Sequence, residues 1–428
     1  MTEDTMALYE ADYAREIGAT RDARMGWWRD AAFGMFIHYG VYSVYGRGEW
    51  IRLREGISAE EYHRTAAEHF RYQPGNAEKW VKLARFAGMK YAVMTAIHHD
   101  GYALWDSAVN PFNSVKCGPG IDIVREFTEA CRRHGIRVGL YFSLWNWEHP
   151  DGMRCQDDET ARVRFLAFVR EEVRELMTNY GKIDILWYDV PSPLKTAEAW
   201  DSVSRNRMVR ALQPDIIINN RSRLDEDFCT PEDKIVPGAK DWEACMRFTD
   251  IAFGGLNQAY AAPYRLNANG IIRLLAKCRN RCGNLIFNIT PDESGGICEA
   301  EAAELTKVGA WICTHSEVIC GAGTPGSIGA NGICTATRRG NHVYLWNWIW
   351  GGTMMRVNGY RVPPVRVRCV TTGEAVDFTY ENGVIHLRGL PERSPEPVLG
   401  IAVYDLDFGD AEPVYRLMPA NAEEFAGV

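Results

Sequence analysis

The carboxylate of Asp189 comes directly after a short, mostly apolar segment, residues 183–188, and directly before Val190-Pro191. An apolar run of this length that ends at a proline is typical of a strand buried on both faces of a parallel sheet. In an α/β barrel, side chains at the carboxyl ends of such strands form the active site. A carboxylate placed there can do chemistry, although an aspartate that caps the next element has the same local pattern.

Other predicted strands also end in polar side chains. In chain order these are His38, His98 with His99, Tyr141, Asp189, Arg221 and Asn288. Histidine, tyrosine and arginine can hydrogen-bond several hydroxyl groups, and Trp50, Trp145 and Trp187 offer flat apolar faces for a sugar ring. One histidine near a strand end is usually structural, but six such positions predict a shared site.

A site rich in histidine could instead hold a metal ion, as in barrel hydrolases. Adjacent residues of an extended strand point to opposite sides, so we expect that His98 and His99 do not share one ion. We therefore predict no metal and no organic cofactor. A carboxylate among sugar-binding groups suits a glycosidase, which needs a second carboxyl group as acid and base.

Alternating strands and helices must position these side chains. The predicted strands are 33–40, 91–97, 137–143, 183–188, 215–220, 242–246 and 284–289. The predicted helices are 8–32, 59–88, 122–134, 158–179, 198–212, 268–281 and 297–318. This alternation predicts an α/β fold with a parallel sheet, and seven or eight units favour a (β/α)8-like TIM barrel. A doubly wound sheet would need a glycine-rich phosphate turn after an early strand, which the sequence lacks.

The pattern of apolar and turn-forming residues changes after the glycine-rich segment 321–326. Short strand-like runs such as 342–346 and 365–370 alternate with turn signals such as Asn382-Gly383. This pattern predicts a small β-sandwich. The expected organisation is a catalytic barrel over residues 1–322 and a C-terminal β-sandwich over residues 323–428.

Composition narrows the class of protein. With 46% hydrophobic and 24% charged residues among 428, the chain suits a globular protein with a large core. A net charge of −8 without clusters of lysine and arginine argues against nucleic acid and membrane surfaces as partners. The polar segment 1–5 and twelve scattered cysteines predict a cytoplasmic location, with a processed secreted form as the alternative. The oligomeric state stays open, and a homo-oligomer is compatible with the sequence.

A series of sequence blocks carries a family resemblance. The blocks are 36–44, Glu49-Trp50, 90–102, Leu104-Trp105, 113–115, 139–143, 186–189, 213–215, 242–246 and 283–291. Together, and in this order, they resemble the α-L-fucosidases of glycoside hydrolase family 29. The resemblance covers roughly residues 25 to 320.

The resemblance implies a barrel followed by a β-sandwich, and an exo-glycosidase that acts on fucosylated glycans. Such enzymes release terminal α-L-fucose with retention through a covalent fucosyl-enzyme intermediate. By motif, Asp189 matches the nucleophile. The residues that match sugar-binding positions are His38, Glu49, Trp50, His98, His99, Tyr141 and Arg221, to which we add Trp187 for its flat face.

Two glutamates compete for the acid/base role. Glu232 lies on a loop after the Arg221 strand, and its spacing from Asp189 resembles that of several family members. Glu243 lies in a block shared by the family, where the neighbouring Trp242 would raise its pKa. We favour Glu232, because a loop lets the acid reach the leaving oxygen from above the sugar ring.

Two other functions stay open at this point. One is a different retaining glycosidase on a barrel. The other is a non-catalytic fucose-binding relative, which would have lost a carboxyl group; the presence of Asp189 argues against it.

Overall fold

A computed structural model describes residues 3–238, 240–249, 252–255, 266–319 and 334–415, with side chains from Leu8 onward. The chain divides into two units. The first takes its residues from 1–28, 33–266 and 286–303, and the second from 29–32, 267–285 and 304–428. The predicted domain boundary between residues 322 and 323 lies outside the described residues.

Helices and strands alternate along most of the chain. The helices are α1 (Glu3–Ala31), α2 (Tyr42–Tyr45), α3 (Ile51–Arg54), α4 (Ala59–His69), α5 (Asn76–Phe86), α6 (Ile123–His134), α7 (Glu159–Asn179), α8 (Ser202–Leu212), α9 (Ala268–Asn280), α10 (Glu299–Thr314) and α11 (Ser316–Ile319). The strands among them are β1 (Phe33–Ile37), β2 (Tyr91–Ile97), β3 (Arg137–Ser143), β4 (Ile185–Asp189), β5 (Ile217–Ile218), β6 (Glu243–Met246) and β7 (Asn284–Ile289). Within the described ranges, no helix combines the length with the apolar composition that crossing a bilayer requires.

Among the described residues, these seven strands form one sheet in the order β5-β4-β3-β2-β1-β7-β6. Strands β1 to β5 pair in parallel. Every residue of β1, β2 and β4 is buried, as expected for strands covered on both faces. One contact shows that the sheet is curled. Trp187 of β4 hydrogen-bonds Glu243 of β6 at 3.3 Å, although four strands lie between β4 and β6 in the sheet.

Short polar side chains set where the helices begin. Ser58, Asp122 and Asp158 each accept a hydrogen bond from the backbone N–H three residues later, at the starts of α4, α6 and α7. Helix α6 ends at His134 and is followed by Gly135, whose φ of +67° is the left-handed conformation that glycine adopts most readily. These local signals explain why the predicted bounds of α6 and α7 agree with the structure within one residue.

Several predicted elements differ from the structure. The predicted strand 33–40 ends at Ile37, the predicted helix 198–212 begins only at Ser202, and the predicted helix 8–32 begins earlier, at Glu3. The predicted helix 59–88 is two helices, α4 and α5, because Pro74 lacks a backbone N–H and Gly75 takes a φ of +89°. The predicted helix 297–318 is likewise divided into α10 and α11. The predicted strand 215–220 shortens to β5, because Asn220–Ser222 forms a 3₁₀ turn that carries Arg221.

The C-terminal strands form two antiparallel sheets. They are β8 (Cys334–Arg339), β9 (His342–Asn347), β10 (Met355–Asn358), β11 (Arg366–Cys369), β12 (Asp377–Glu381), β13 (Val384–Arg388) and β14 (Ala402–Asp407). Among the described residues, one sheet has the order β11-β14-β9-β8 and the other β10-β13-β12. Leu345 and Leu406 of the first sheet share a buried apolar cluster with Ile385 and Leu387 of the second. The prediction of a β-rich C-terminal region is therefore confirmed.

Candidate active site

A cavity of about 210 Å³ lies where the parallel strands end. Its lining residues are Phe36, His38, Glu49, Trp50, His98, His99, Tyr141, Trp187, Asp189, Val190, Arg221, Glu232, Cys245 and Phe253. The structure therefore brings together the predicted nucleophile, the favoured acid/base and all eight predicted sugar-binding residues. The cavity is smaller than those that enclose drug-sized ligands and suits a single sugar ring.

Asp189 is the last residue of β4, and neighbouring donors hold its carboxylate in place. Tyr141 Oη donates to Oδ2 at 2.7 Å, the backbone N–H of Val190 donates to Oδ1 at 2.8 Å, and Arg221 Nη1 pairs with Oδ1. Burial alone would raise the pKa of Asp189, but the charge of Arg221, the neighbouring His99 and the hydrogen bonds from Tyr141 and Arg221 together outweigh it, and the pKa lies below its usual value. The carboxylate is therefore ionised at neutral pH, as a nucleophile requires.

The guanidinium of Arg221 connects two carboxylates. Besides its contact with Asp189, its Nη2 donates to Glu232 Oε2 at 3.0 Å. Its Nε donates to Thr230 Oγ1 at 2.9 Å, and its Cζ lies 4.6 Å from the centre of the Trp187 ring. Hydrogen bonds and stacking thus fix the plane of the guanidinium. They thereby also fix where the carboxylates of Asp189 and Glu232 lie relative to each other.

Glu232 lies between β5 and β6, outside any regular strand, yet its backbone is anchored. The N–H of Cys245 donates to the Pro231 carbonyl at 2.9 Å, and the N–H of Asp233 donates to the Cys245 carbonyl at 3.0 Å. These bonds hold the segment against β6. The side chain of Glu232 is 44% exposed and lines the cavity. A carboxyl group in this position can reach both a bound sugar and a leaving group in solvent.

Glu243, the alternative acid/base, is placed differently. Its side chain is buried at 1% exposure and does not line the cavity. Trp187 Nε1 donates to one carboxyl oxygen at 3.3 Å and Tyr91 Oη donates to the other. Burial raises the pKa of Glu243 to about 7. Sequence reasoning anticipated the raised pKa, but the group lies beneath the cavity, inside the curled sheet.

His38 presents a defined tautomer to the cavity. Its Nδ1 lies 2.7 Å from Asn288 Oδ1, and Asn288 Nδ2 donates to the Phe253 carbonyl, which turns the amide oxygen toward the histidine. Nδ1 therefore carries the proton and Nε2 is left as an acceptor. Burial lowers the pKa of His38 to about 4, so the ring is neutral at pH 7. Asn288 itself lies within β7 and supports the site without lining the cavity.

His99 is oriented by a similar relay. Ser143 Oγ gives its hydrogen to the Trp145 carbonyl at 2.6 Å and so accepts from His99 Nδ1 at 2.6 Å. Burial lowers the pKa of His99 to about 4. The neutral ring keeps Nε2 as an acceptor, 3.8 Å from Asp189 Oδ2. A sugar hydroxyl that donates to this nitrogen would lie beside the nucleophile.

The expectation that His98 and His99 point to opposite sides is wrong. Both residues line the cavity, with ring centres 4.0 Å apart. They follow β2, which ends at Ile97, so the alternation of an extended strand does not apply to them. His98 stacks on Tyr141 at 5.6 Å and 10°. Within the described ranges, no three histidine, cysteine, aspartate or glutamate side chains group so as to hold a metal ion.

Glu49 and Trp50 form another wall. Glu49 Oε2 accepts hydrogen bonds from the backbone N–H groups of Phe253 and Gly254, both at 3.0 Å, and burial raises its pKa. Trp50 packs edge-to-face against His99 at 4.9 Å and against Trp145 at 5.7 Å. Glu49, which is about 200 residues away in the sequence, thus holds the segment of Phe253 at the cavity.

Sequence reasoning missed four lining residues, Phe36, Val190, Cys245 and Phe253. Phe36 comes two residues before His38 and Cys245 two residues after Glu243, so the period of a strand could have assigned both to the inner face. Val190 follows the nucleophile directly. For Phe253 no periodicity or motif offers a signal.

Similarity to known proteins identifies the family of this chain. A sequence model of the family described as Alpha-L-fucosidase matches residues 2–317, more than half of the 428 residues. The chain belongs to the alpha-L-fucosidase family. The resemblance found in the sequence blocks is therefore confirmed, and this fucosidase is a glycoside hydrolase.

Individual relatives share about 30% of their aligned residues with this chain. The alpha-L-fucosidase of Dictyostelium discoideum is 29% identical over 336 residues, 69% of this chain and 71% of the relative. The tissue alpha-L-fucosidase of Rattus norvegicus is 30% identical over 323 residues, 68% of this chain and 69% of the relative. Among solved structures, alpha-L-fucosidase isoenzyme 1 from Paenibacillus thiaminolyticus superposes with a TM-score of 0.84 at 30% identity, covering 91% of this chain and 100% of that one. A GH29 alpha-L-fucosidase from Bacteroides thetaiotaomicron shares the fold, with a TM-score of 0.81 at 24% identity over 89% of this chain and 94% of that one.

Proposed function

We propose that this fucosidase hydrolyses terminal α-L-fucosides of fucosylated oligosaccharides or glycoconjugates with net retention, using Asp189 as nucleophile and Glu232 as acid/base. The observation that carries the proposal is the bridge at Arg221. One guanidinium binds both carboxylates, and both line a cavity of a size for one sugar ring. Two carboxyl groups close together across the anomeric carbon are what a retaining mechanism needs.

The reaction takes two steps in this site. In the first, Glu232 gives its proton to the glycosidic oxygen while Asp189 attacks C1, so the C1–oxygen bond breaks and the aglycone leaves as an alcohol. In the second, Glu232 takes a proton from a water molecule that attacks C1, and the bond to Asp189 breaks. Each step inverts the anomeric centre, and the two together retain it.

The remaining lining residues suit the fucose ring. Neutral His38 and His99 accept hydrogen bonds at Nε2 from sugar hydroxyls, because burial keeps their pKa values at about 4. Phe36 and Phe253 supply an apolar wall for the C5 methyl group. Discrimination against sugars with a hydroxymethyl group at this carbon should amount to about 1–3 kcal/mol.

We further propose that the curled sheet closes as a (β/α)8-like barrel. Supporting this, isolated parallel bridges join Asn219 to Phe228 and Cys229 to Trp242, so the segment between β5 and β6 spans the two edges of the sheet. For the C-terminal region we propose a β-sandwich, supported by the apolar cluster that its two sheets share. The residues from 323 to 333 lie outside the described ranges.

We also propose a cytoplasmic enzyme that needs no metal or organic cofactor and binds neither nucleic acid nor membranes. Free thiols at Cys117, Cys131, Cys155, Cys229 and Cys245 suit a reducing compartment. The net charge of −8 offers no attraction to nucleic acid or to anionic membranes. A homo-oligomer is compatible with the chain, and light scattering of the purified protein decides the state.

The test is turnover of an aryl α-L-fucoside, with the configuration of the released fucose followed by NMR. The wild type should give the retained anomer. Asp189→Ala should lose several orders of magnitude in rate, and added azide should restore turnover and yield a fucosyl azide of inverted configuration. Asp201→Ala, at an exposed aspartate, is the matched control.

Three outcomes would overturn the proposal. Fucose binding without turnover by the wild type would make the chain a non-catalytic relative. Faster turnover of another aryl glycoside would make it a different retaining glycosidase. Near-full activity of Asp189→Ala would remove the nucleophile from the mechanism.

A further inference from the structure

The buried carboxyl group of Glu243 is engaged at both of its oxygens. Tyr91 Oη donates to Oε2, Trp187 Nε1 donates to Oε1 at 3.3 Å, and the Trp28 side chain is a third hydrogen-bond partner. Glu243, Tyr91 and Trp187 are exposed by 1% or less. A polar group so far from water is destabilising unless its partners satisfy it, so these contacts determine where the three side chains lie.

The sheet is built to accommodate the Tyr91 ring. Gly34 of β1 pairs with Tyr91 of β2, and a Cβ atom at Gly34 would come within 2.2 Å of the tyrosine ring. Only glycine at this position lets the ring lie across β1. Trp27 packs edge-to-face on the tyrosine at 6.2 Å. Gly34 thus leaves the space that the Tyr91 ring needs for its hydroxyl group to reach Glu243.

Trp187 connects Glu243 to the catalytic carboxylates. Its ring stacks on Tyr141 at 5.6 Å and 17°, and the Arg221 guanidinium lies 4.6 Å from its centre. Tyr141 and Arg221 are the two side chains that hydrogen-bond Asp189. A rotated or displaced indole would therefore move both of the groups that hold the nucleophile, and through Arg221 would also move Glu232.

From this arrangement we propose that Glu243 is a positioning residue, which fixes the plane of the Trp187 indole and thereby the Arg221 bridge between the two carboxylates. Glu243 does not line the cavity, and Trp187 is the partner through which it reaches Arg221 and Tyr141. The inference rests on the proposed roles of Asp189 and Glu232. It assigns a task to a buried ionisable group that the hydrolytic steps leave unused.

The first experiment compares two substitutions at this position. Glu243→Leu fills the space with an apolar side chain but removes the hydrogen bonds to Trp187, Tyr91 and Trp28. The value of kcat/KM should fall on the order of a hundredfold, mostly in kcat, because small misplacements of catalytic groups have effects of this size. Glu243→Gln keeps an oxygen that can accept from Trp187 Nε1, and its activity should stay close to that of the wild type. Circular dichroism and thermal unfolding confirm that each variant is folded.

A matched control separates positioning from general stability. Glu172 is also a buried glutamate at 1% exposure, but its partner is Asn110, away from the catalytic cavity. Glu172→Leu should lower the unfolding temperature while the folded enzyme keeps its kcat/KM. A role of Glu243 in folding alone would give the same result for Glu243→Leu, and that outcome would overturn the inference.

A double-mutant cycle tests the route through the indole. Trp187→Phe lacks the N–H that Glu243 accepts, so Glu243→Leu should reduce kcat/KM little further in the Trp187→Phe background. Fully additive losses would show that Glu243 acts by another path. The loss in Glu243→Leu should also be equal for activated aryl fucosides and for substrates with poor leaving groups.

The outcomes separate this inference from the proposed function. If Asp189→Ala and Glu232→Ala behave as expected and Glu243→Leu resembles the wild type, the positioning role alone fails. If Glu243→Leu hurts poor leaving groups selectively, Glu243 is the acid, and the assignment of Glu232 fails with the positioning role. If Asp189→Ala keeps its activity, the proposed mechanism is wrong, and the positioning role of Glu243, which depends on it, is wrong as well.

Discussion

The Nη2 atom of Arg221 lies 3.0 Å from Oε2 of Glu232. The neighbouring Nη1 of the same guanidinium pairs with Asp189, so a rigid planar group spans the proposed nucleophile and the proposed acid/base. Each carboxylate also has an anchor of its own. Tyr141 holds Asp189, and the backbone bonds to Cys245 hold the segment of Glu232.

Arg221→Lys should lower kcat/KM for an aryl fucoside by about a hundredfold, because an ammonium group lacks the planar fork of donors that spans the two carboxylates and does not stack on Trp187. Steady-state kinetics measure the loss. Arg223→Lys is the matched control, since the Arg223 guanidinium donates to the Pro191 carbonyl at 3.0 Å and does not line the cavity. Activity of Arg221→Lys within a few-fold of the wild type would show that the bridge is dispensable.

Glu232→Ala should slow the hydrolysis of substrates with poor leaving groups far more than that of activated aryl fucosides, because only the former need a proton on the departing oxygen. The basic limb of the pH–rate profile should flatten in this variant. A series of aryl fucosides that differ in phenol pKa measures the dependence. Lys234→Ala, at an exposed position two residues away, serves as the control. Equal slowing of all substrates would point to a binding role instead.

Fucose affinity should fall at acidic pH through His38 and His99. Burial lowers both pKa values to about 4, so the neutral acceptor form prevails above that pH and is lost as the pH falls through it. At pH 4 each ring is about half protonated, and affinity should be about fourfold weaker than at pH 6. Inhibition by free fucose, with folding checked by circular dichroism, measures the effect. A decline that already begins near pH 6.5 would mean that the rings titrate as exposed histidines do.

Glu172→Gln should change how stability depends on pH. Burial raises the pKa of Glu172 from 4.5 to about 8, so the folded state keeps a proton that the unfolded state releases. This group's contribution to wild-type stability therefore declines as the pH rises from 4.5 toward 8. Relative to the wild type, Glu172→Gln should gain up to about 4 kcal/mol between pH 5 and pH 8. Urea unfolding at several pH values measures this, with Glu171→Gln, whose side chain is 46% exposed, as the control. A constant difference would contradict the raised pKa.

The sequence by itself determined the strands that matter and most of the residues at their ends. Asp189, Tyr141 and His38 could be identified because apolar runs bounded by glycine and proline mark buried strands, and parallel strands place their carboxyl ends along one edge. Helix starts were equally local, since a side chain such as Asp122 caps a backbone group three residues away. Family blocks then supplied the expected roles.

Only the tertiary structure decided how deep each group lies. Glu232 and Glu243 both follow Arg221, and their order along the chain does not reveal that one lines the cavity while the other is buried beneath Trp187. That difference arises from the curl of the sheet, which brings β6 across to β4. The turn after β2 likewise directs His98 and His99 into one cavity. Contacts of this kind join segments far apart in the sequence, so no local pattern of residues encodes them.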